Sequence, residues 1–322
     1  MRGEDSPPNN RLTSFVFLTT IVLIWAGSFI FIRLALKEIP PVALALARFS
    51  LATPVLVAFS LFARQTRQAV TAALRKDFLL FSALGLTGVT LLYVLEFYSL
   101  RLISATEGSI IINLHVIFAM LLSSAFLSER LTGRKLAGVF LAFAGVVLIT
   151  TGSASMMSLN FLEPLGVLLM VGAAFCWASY SVLGKKAVQR YSTTVSTCVA
   201  FLLGTLYLIP FALAESRTDA LFSSSELAWG SVFYLAIPSS VITYVLWNRM
   251  IREVDVTKVM VSLYAIPIPT AIMSYLFLGE MITYSLVLGG AIVMLGVYLT
   301  ETSDERRPSP VQGECPNPGK AK

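Results

Sequence analysis

Residues 93–148 recur without a gap 151 positions later, at 244–299. Identical pairs include Tyr93/Tyr244, Arg101/Arg252, Thr106/Thr257, Glu129/Glu280, Thr132/Thr283, Gly138/Gly289 and Gly145/Gly296. An apolar composition would produce chance Leu and Val matches, but it would not align glycines, a glutamate, an arginine and threonines in one register. An earlier stretch repeats at an offset of 152, with Trp25/Trp177, Ala26/Ala178, Phe49/Phe201 and Thr53/Thr205. One residue gained or lost in a connection accounts for the change. The chain is therefore two copies of one unit, and any fold assigned to it must place both.

Composition then fixes the solvent. Of 322 residues, 56% are hydrophobic and 13% charged, against about a quarter charged in soluble domains. Apolar runs of about 20 residues mark membrane spans. Ten fit, at roughly 14–36, 41–63, 78–99, 103–127, 135–152, 164–187, 194–214, 228–248, 256–278 and 282–300. They occupy most of the chain and leave no room for a soluble catalytic domain. The first run is too long for a signal-peptide core and lacks a small-residue cleavage site, so it is expected to stay. The net charge of +6 does not point to nucleic acid. With the N-terminus inside, nineteen Lys and Arg fall in cytoplasmic segments and three, Lys37, Arg101 and Arg217, in outer loops. That is the positive-inside pattern. Cys176, Cys198 and Cys315 show neither metal-ligand spacing nor an evident disulfide pair.

The expected fold is all-α and integral to the membrane, with ten transmembrane helices as two five-helix repeats. The expected divisions are a cytoplasmic tail (1–13), a first repeat (14–152), an external linker (153–163), a second repeat (164–300) and a disordered cytoplasmic tail (301–322). Five spans is an odd number, so the second copy enters from the opposite side. Charge agrees: Glu129 sits in a turn with Arg130, Arg134 and Lys135, whereas its twin Glu280 has no basic neighbour in sequence. One motif facing opposite sides is an inverted repeat, the arrangement that rocks about a midplane site to give alternating access. The basic connection 64–76 reads as an inner loop or interfacial helix, and 215–226 as the longest outer loop. Pro267 and Pro269 mark the ninth span as kinked and cavity-lining. The glycines at 138, 145, 289 and 296 read as helix-packing seams.

Both halves resemble EamA-type members of the drug/metabolite transporter superfamily. The likeness is carried by Trp25-Ala26-Gly27-Ser28-Phe29, Ala47-Arg48-Phe49, Leu127-Ser128-Glu129-Arg130-Leu131-Thr132 and, in the second copy, Leu278-Gly279-Glu280-Met281-Ile282-Thr283, with the four glycines. It covers about residues 14–300. The resemblance implies a ten-helix inverted-repeat carrier that moves small metabolites, often amino acids, commonly outward across a cell membrane. Some positions depart from the pattern. Val116 stands where the family has a mid-span proline, which Pro267 keeps in the second copy, and Arg48 has only Ala200 as its twin. The first span carries no carboxylate before Glu38, unlike the small multidrug exporters of that superfamily.

Ionisable groups inside spans are costly and are candidate functional sites by default. Arg33, Glu107 and Lys258 lie near span ends, where long side chains reach the interface, and these read as structural. His115 lies at the centre of the fourth span, as a substrate partner, a proton site or a histidine bonded to a neighbouring helix. Asn113, with its twin Tyr264, would line the two sides of a central cavity. Glu96 would hold a substrate amino group or pair with Arg48. Trp25 and Trp177 sit at mid-depth in the first span of each half, where an indole N–H needs a partner. Ser28, Tyr93, Tyr180 and Tyr244 complete the candidate substrate-binding set.

The residues favour a secondary transporter, and the resemblance implies an exporter or exchanger of small metabolites such as amino acids. They show no nucleotide-binding loop, so the energy must come from a solute gradient or a coupled ion. A flippase for an amphiphilic or lipid-linked solute is the alternative. A membrane-embedded enzyme is poorly supported, because no nucleophile set, metal cluster or paired intramembrane carboxylates are present. The expected partners are a small-molecule solute and the bilayer, with protons, a counter-solute and a homodimer left open. No cofactor and no nucleic acid are expected. The expected location is the cell (cytoplasmic or inner) membrane, multi-pass, with both termini cytoplasmic.

Overall fold

The computed structural model describes residues 11–61, 64–127, 133–153, 162–215, 218–244, 246–247, 250 and 263–301, and among them every regular element is helical. Most of both tails, Glu129, Lys258 and most of the link between the repeats lie outside these residues. Among the described residues, six apolar helical stretches are long enough to cross a bilayer: Thr13–Ala35, Pro41–Ala58, Phe78–Leu102, Ala105–Leu122, Glu163–Arg190 and Thr193–Ala214. Three shorter apolar stretches follow, Glu226–Ile242, Pro267–Leu278 and Tyr284–Leu299. Runs this apolar must satisfy their own backbone groups, and a helix does so within one segment.

In chain order, α1 is Arg11–Ala35, α2 Pro41–Leu61 and α3 Arg64–Lys76. The third span is broken into α4 (Phe78–Gly85), a π-helical turn (Leu86–Leu91) and α5 (Leu92–Leu102). The fourth comprises α6 (Ala105–Ile111), a 3-10 turn (Ile112–Leu114) and α7 (His115–Leu127). There follow α8 (Gly133–Ser153), α9 (Leu162–Arg190) and α10 (Thr193–Ala214). Then come α11 (Glu226–Ala236), a second π turn (Ile237–Ile242), α12 (Pro267–Leu278) and α13 (Tyr284–Glu301).

The basic connection after α2 is a helix. Ala73 is buried against α4 and α10 while Arg67, Gln68, Arg75 and Lys76 remain exposed, the division an interfacial helix requires. The outer connection at 215–226 holds one short 3-10 turn, Thr218–Leu221. Helix starts are capped by side chains. Ser104 and Glu107 form a reciprocal box, the Glu107 N–H donating to Ser104 Oγ at 3.1 Å and the Ser104 N–H to Glu107 Oε2 at 2.8 Å. That gives Glu107 the structural role its span-end position suggested.

Repeat-equivalent helices meet one another. The α8 and α13 glycines pack crosswise: a Cβ on Gly145 would lie 2.7 Å from the Gly289 carbonyl oxygen, and one on Gly296 would lie 2.6 Å from that of Gly138. Only glycine permits this approach, so these residues are a packing seam. Between α2 and α10, Thr53 and Thr205 share a hydrogen bond of 2.9 Å and the Phe49 and Phe201 rings meet edge to face at 5.0 Å. Each of these is a contact between twins. The first helix of each half also packs into the other half, α1 against α11 and α12, α9 against α5 and α7.

Two readings gain detail. The ninth span is interrupted just ahead of Pro267. The turn Tyr264–Ile266 comes first and α12 starts at Pro267, where proline's fixed φ and missing N–H fit a helix start. And Glu280, without a basic neighbour in sequence, has one in space. Beyond Gly279, whose φ of 67° ends α12, its carboxylate accepts from Arg33 Nε at 3.2 Å, from the Ala105 N–H at 3.0 Å and from the Ser274 hydroxyl. Arg33 donates in addition to the Leu100 carbonyl at 2.7 Å. This knot ties α1, α5, α6 and α12 together at one end of the bundle.

Candidate functional site

The backbone is irregular at two levels, and the irregularities bracket one cavity. The two π turns are separated by 151 residues, the repeat offset. The 3-10 turn at Ile112–Leu114 is answered in the second half by the turn at Tyr264–Ile266. Non-helical backbone at membrane depth survives where protein buries it or where it lines a cavity, and π turns frequently mark functional sites. In each π turn a hydroxyl bonds back five residues, Thr90 to the Gly85 carbonyl at 3.4 Å and Ser240 to that of Leu235 at 2.9 Å.

The cavity has a volume of about 110 Å³. It is lined by both members of four repeat pairs: Trp25/Trp177, Tyr93/Tyr244, Ile112/Leu263 and His115/Ile266. Ser28, Phe29, Arg48, Leu92, Glu96, Ser109, Asn113 and Ser239 complete it. Of the candidates drawn from sequence, Tyr180 and Tyr264 lie off the lining. Tyr180 stacks on Trp177 (centroids 5.7 Å apart, 27° between planes) and fills the space beside Gly88. It supports a wall without forming one. Tyr264 packs into the main apolar core.

Arg48 is buried and surrounded by partners. Its Nε donates to Ser240 Oγ at 3.0 Å, and one Nη reaches Tyr93 Oη at 3.3 Å and Ser239 Oγ at 3.4 Å. The guanidinium carbon lies 4.4 Å from the Tyr93 ring centroid and 5.4 Å from that of Phe49. Hydrogen bonds to a charge contribute about 1.5–3 kcal/mol each, and a desolvated cation–π contact about 2 kcal/mol. Together they offset the cost of about 2.5–3.5 kcal/mol for a cation at the middle of a membrane helix. Glu96 is equally buried but lacks this support. Among the described residues its carboxylate makes no hydrogen bond and no ion pair, and it does not pair directly with Arg48. It is the group in the cavity that still needs a donor.

The remaining polar groups are held by their own helices. His115 Nδ1 bonds the Ile112 carbonyl at 2.9 Å; since a carbonyl only accepts, Nδ1 carries the proton and Nε2 is left for another partner. Asn113 Nδ2 donates to the Ser109 carbonyl at 2.8 Å, and Ser28 Oγ to that of Trp25 at 2.6 Å. The Trp25 indole crosses between the halves and donates to the Ser239 carbonyl at 3.2 Å. Its ring meets Trp247 with centroids 5.6 Å apart. Sequence reading missed Ser109 and Ser239. For Ser239 the signal was present, a Pro238-Ser239-Ser240 run of a proline and two hydroxyls inside an apolar span. Among the described residues, no group of three or more His, Cys, Asp or Glu side chains could hold a metal.

Comparison with known proteins agrees with this architecture. The model of the EamA-like transporter family matches twice, at residues 12–151 and 164–302. An uncharacterized transporter of Archaeoglobus fulgidus is 40% identical over 88% of this chain and 96% of its own. An Escherichia coli protein described as a "probable amino-acid metabolite efflux pump" is 25% identical over 88% of this chain and 93% of its own. A solved crystal structure superposes with a TM-score of 0.59 at 20% identity, covering 91% of this chain and 99% of that one; the likeness concerns the fold alone. The chain belongs to the EamA-like transporter family, and it is a membrane transporter.

Proposed function

We propose that this protein is a secondary transporter of small zwitterionic metabolites such as amino acids, working by alternating access between two inverted five-helix repeats. The observation that carries the reading is the central cavity itself. Its frame comes in twin pairs from both halves, and it holds a buried carboxylate without a donor, Glu96, beside a guanidinium, Arg48, that is not bonded to it. A solute amine would satisfy Glu96 and His115 Nε2. A solute carboxylate would face Arg48, and Trp25, Trp177, Tyr93 and Tyr244 would enclose its apolar body.

The inversion is supported by the direction of the twin contacts. Gly138 meets Gly296 while Gly145 meets Gly289, so α8 and α13 run antiparallel. A twofold axis relating such helices lies across them, as an inverted repeat in a membrane demands. The charge distribution and that inversion support a reading of ten spans, with both termini in the cytoplasm of a cell-membrane protein. Two buried charges and a volume of about 110 Å³ favour a small-solute carrier over a flippase, whose cavity must admit lipid-linked cargo. The names of relatives favour transport over catalysis. The description of a relative as a "probable amino-acid metabolite efflux pump" supports outward transport.

The test is counterflow of radiolabelled phenylalanine in proteoliposomes containing the full chain, with and without a pH gradient. Saturable uptake that Glu96→Gln removes without lowering reconstituted protein supports the reading. Uptake unchanged by Glu96→Gln or by His115→Ala would remove those residues from the site.

A further inference from the structure

A second pocket, of about 430 Å³, lies away from the central cavity, between the α1–α2 connection, the end of α5 and the segment after α10. Lys37, Glu38, Tyr98, Arg101 and Glu215 line it. Its charges are unequally committed. Glu215 caps the start of α2, accepting the Val42 N–H at 3.1 Å and the Ala43 N–H at 2.9 Å, and it takes the Tyr98 hydroxyl at 2.9 Å. Glu38 caps α11, accepting the Ser225 N–H at 2.7 Å and the Ser225 hydroxyl at 2.6 Å. Both carboxylates are therefore occupied by helix starts, where the positive end of the helix dipole holds them. Lys37 and Arg101 line the same pocket, and among the described residues neither side chain forms a hydrogen bond or an ion pair. These are two of only three basic residues in the predicted outer loops. In a set of segments nearly emptied of positive charge, the two described cations converge on one cavity.

We infer that this pocket is an anion site, taking the carboxylate of a small soluble solute between Lys37 and Arg101. Lys37 supplies a compact ammonium and Arg101 a planar fork that can grip a carboxylate through two parallel hydrogen bonds. The neighbouring acids keep their charge, but their hydrogen bonds go to backbone and hydroxyl donors, and among the described residues neither forms an ion pair with Lys37 or Arg101. Binding here is independent of passage through the central cavity, so failure of the transport reading would leave it standing.

The experiment uses the full chain in phosphatidylcholine nanodiscs and follows acylation of Lys37 by an amine-reactive ester, read peptide by peptide by mass spectrometry. Benzoate at twice its dissociation constant should slow Lys37 labelling about threefold by mass action. Neutral benzamide should leave it unchanged, and so should benzoate at Lys186, which is remote from the pocket. Arg101→Gln should abolish the protection and Arg101→Lys should restore part of it. Equal protection by benzamide, no protection by benzoate, or protection that survives Arg101→Gln would overturn the proposal. So would phosphatidylglycerol nanodiscs that shield Lys37 with no further effect of benzoate, which would assign the pocket to a lipid headgroup.

Discussion

The two π turns are copies of one element, and the molecule uses them differently. In the second half, the Ser239 and Ser240 hydroxyls both accept from Arg48, and the Ser239 carbonyl accepts from the Trp25 indole. In the first half the corresponding residues are Gly88 and Val89, and Ala200 stands where Arg48 would be. There Tyr180 lies against Gly88, and Thr90 bonds the Gly204 carbonyl of α10 at 3.0 Å. The same division holds around the cavity. Trp25/Trp177 and Tyr93/Tyr244 are kept in both copies, whereas Glu96 faces Trp247 as its twin, His115 faces Ile266 and Asn113 faces Tyr264. Duplication supplies the frame, and the chemistry sits where the copies diverged. Under the proposed function, a twofold frame would rock between two states, and a zwitterionic solute, with two different ends, would need an asymmetric lining.

The largest expected effect tests that asymmetry at its charged member. Glu96→Gln keeps the shape and removes the charge, so solute flux should fall about 10- to 150-fold, the worth of a charged hydrogen bond of about 1.5–3 kcal/mol, with expression unchanged. Writing the second-half residue into the first, Gly88→Ser, should instead damage the fold. A Cβ there collides with the Tyr180 ring, and overpacking of this kind costs about 1–3 kcal/mol, to be read as a lower melting temperature in detergent. The reverse change, Ser239→Gly, removes the longest of the three Arg48 hydrogen bonds, at 3.4 Å, and should lower flux several-fold with a smaller loss of melting temperature than Gly88→Ser. If Gly88→Ser proved harmless and Ser239→Gly unfolded the protein, the assignment of frame and chemistry to the two turns would be reversed.

The smallest effect lies outside the spans. The Ser225 hydroxyl and N–H hold the Glu38 carboxyl below its ordinary value of 4.5. A lowered folded-state value gives stability that is present above the unfolded pKa and lost as pH falls through the folded one. Glu38→Gln should therefore cost little at neutral pH, and its melting temperature should converge with that of the parent in acid. The group is fully exposed, so a difference that grew on acidification would contradict its role as a cap.

Much of this was legible in the sequence because a bilayer leaves few choices. Apolar length marked the six described stretches long enough to cross a bilayer, and the offset of 151 pairs the two π turns. Depth within a span separated Arg33 and Glu107, whose partners are a carboxylate and a cap, from Glu96, Asn113 and His115 at the cavity. Three things were not legible. Hydropathy does not distinguish an α from a π turn, since both present apolar residues. The Arg33–Glu280 contact joins residues 247 apart at span ends that only the packed bundle brings together. Tyr180 shares the spacing of a lining residue, and only the missing side chain of Gly88 draws it off the cavity wall.

The inverted pairing of the repeats is the claim on which the rest stands, and twin positions on the loops test it most directly. Gly133 is exposed with open space around it, and its twin Tyr284 is 95% exposed. With Cys176, Cys198 and Cys315 replaced, Gly133→Cys and Tyr284→Cys should react with a membrane-impermeant maleimide from opposite faces, position 133 in inside-out vesicles and position 284 in intact cells. Labelling of both from one face would contradict the inversion and, with it, alternating access about a shared cavity.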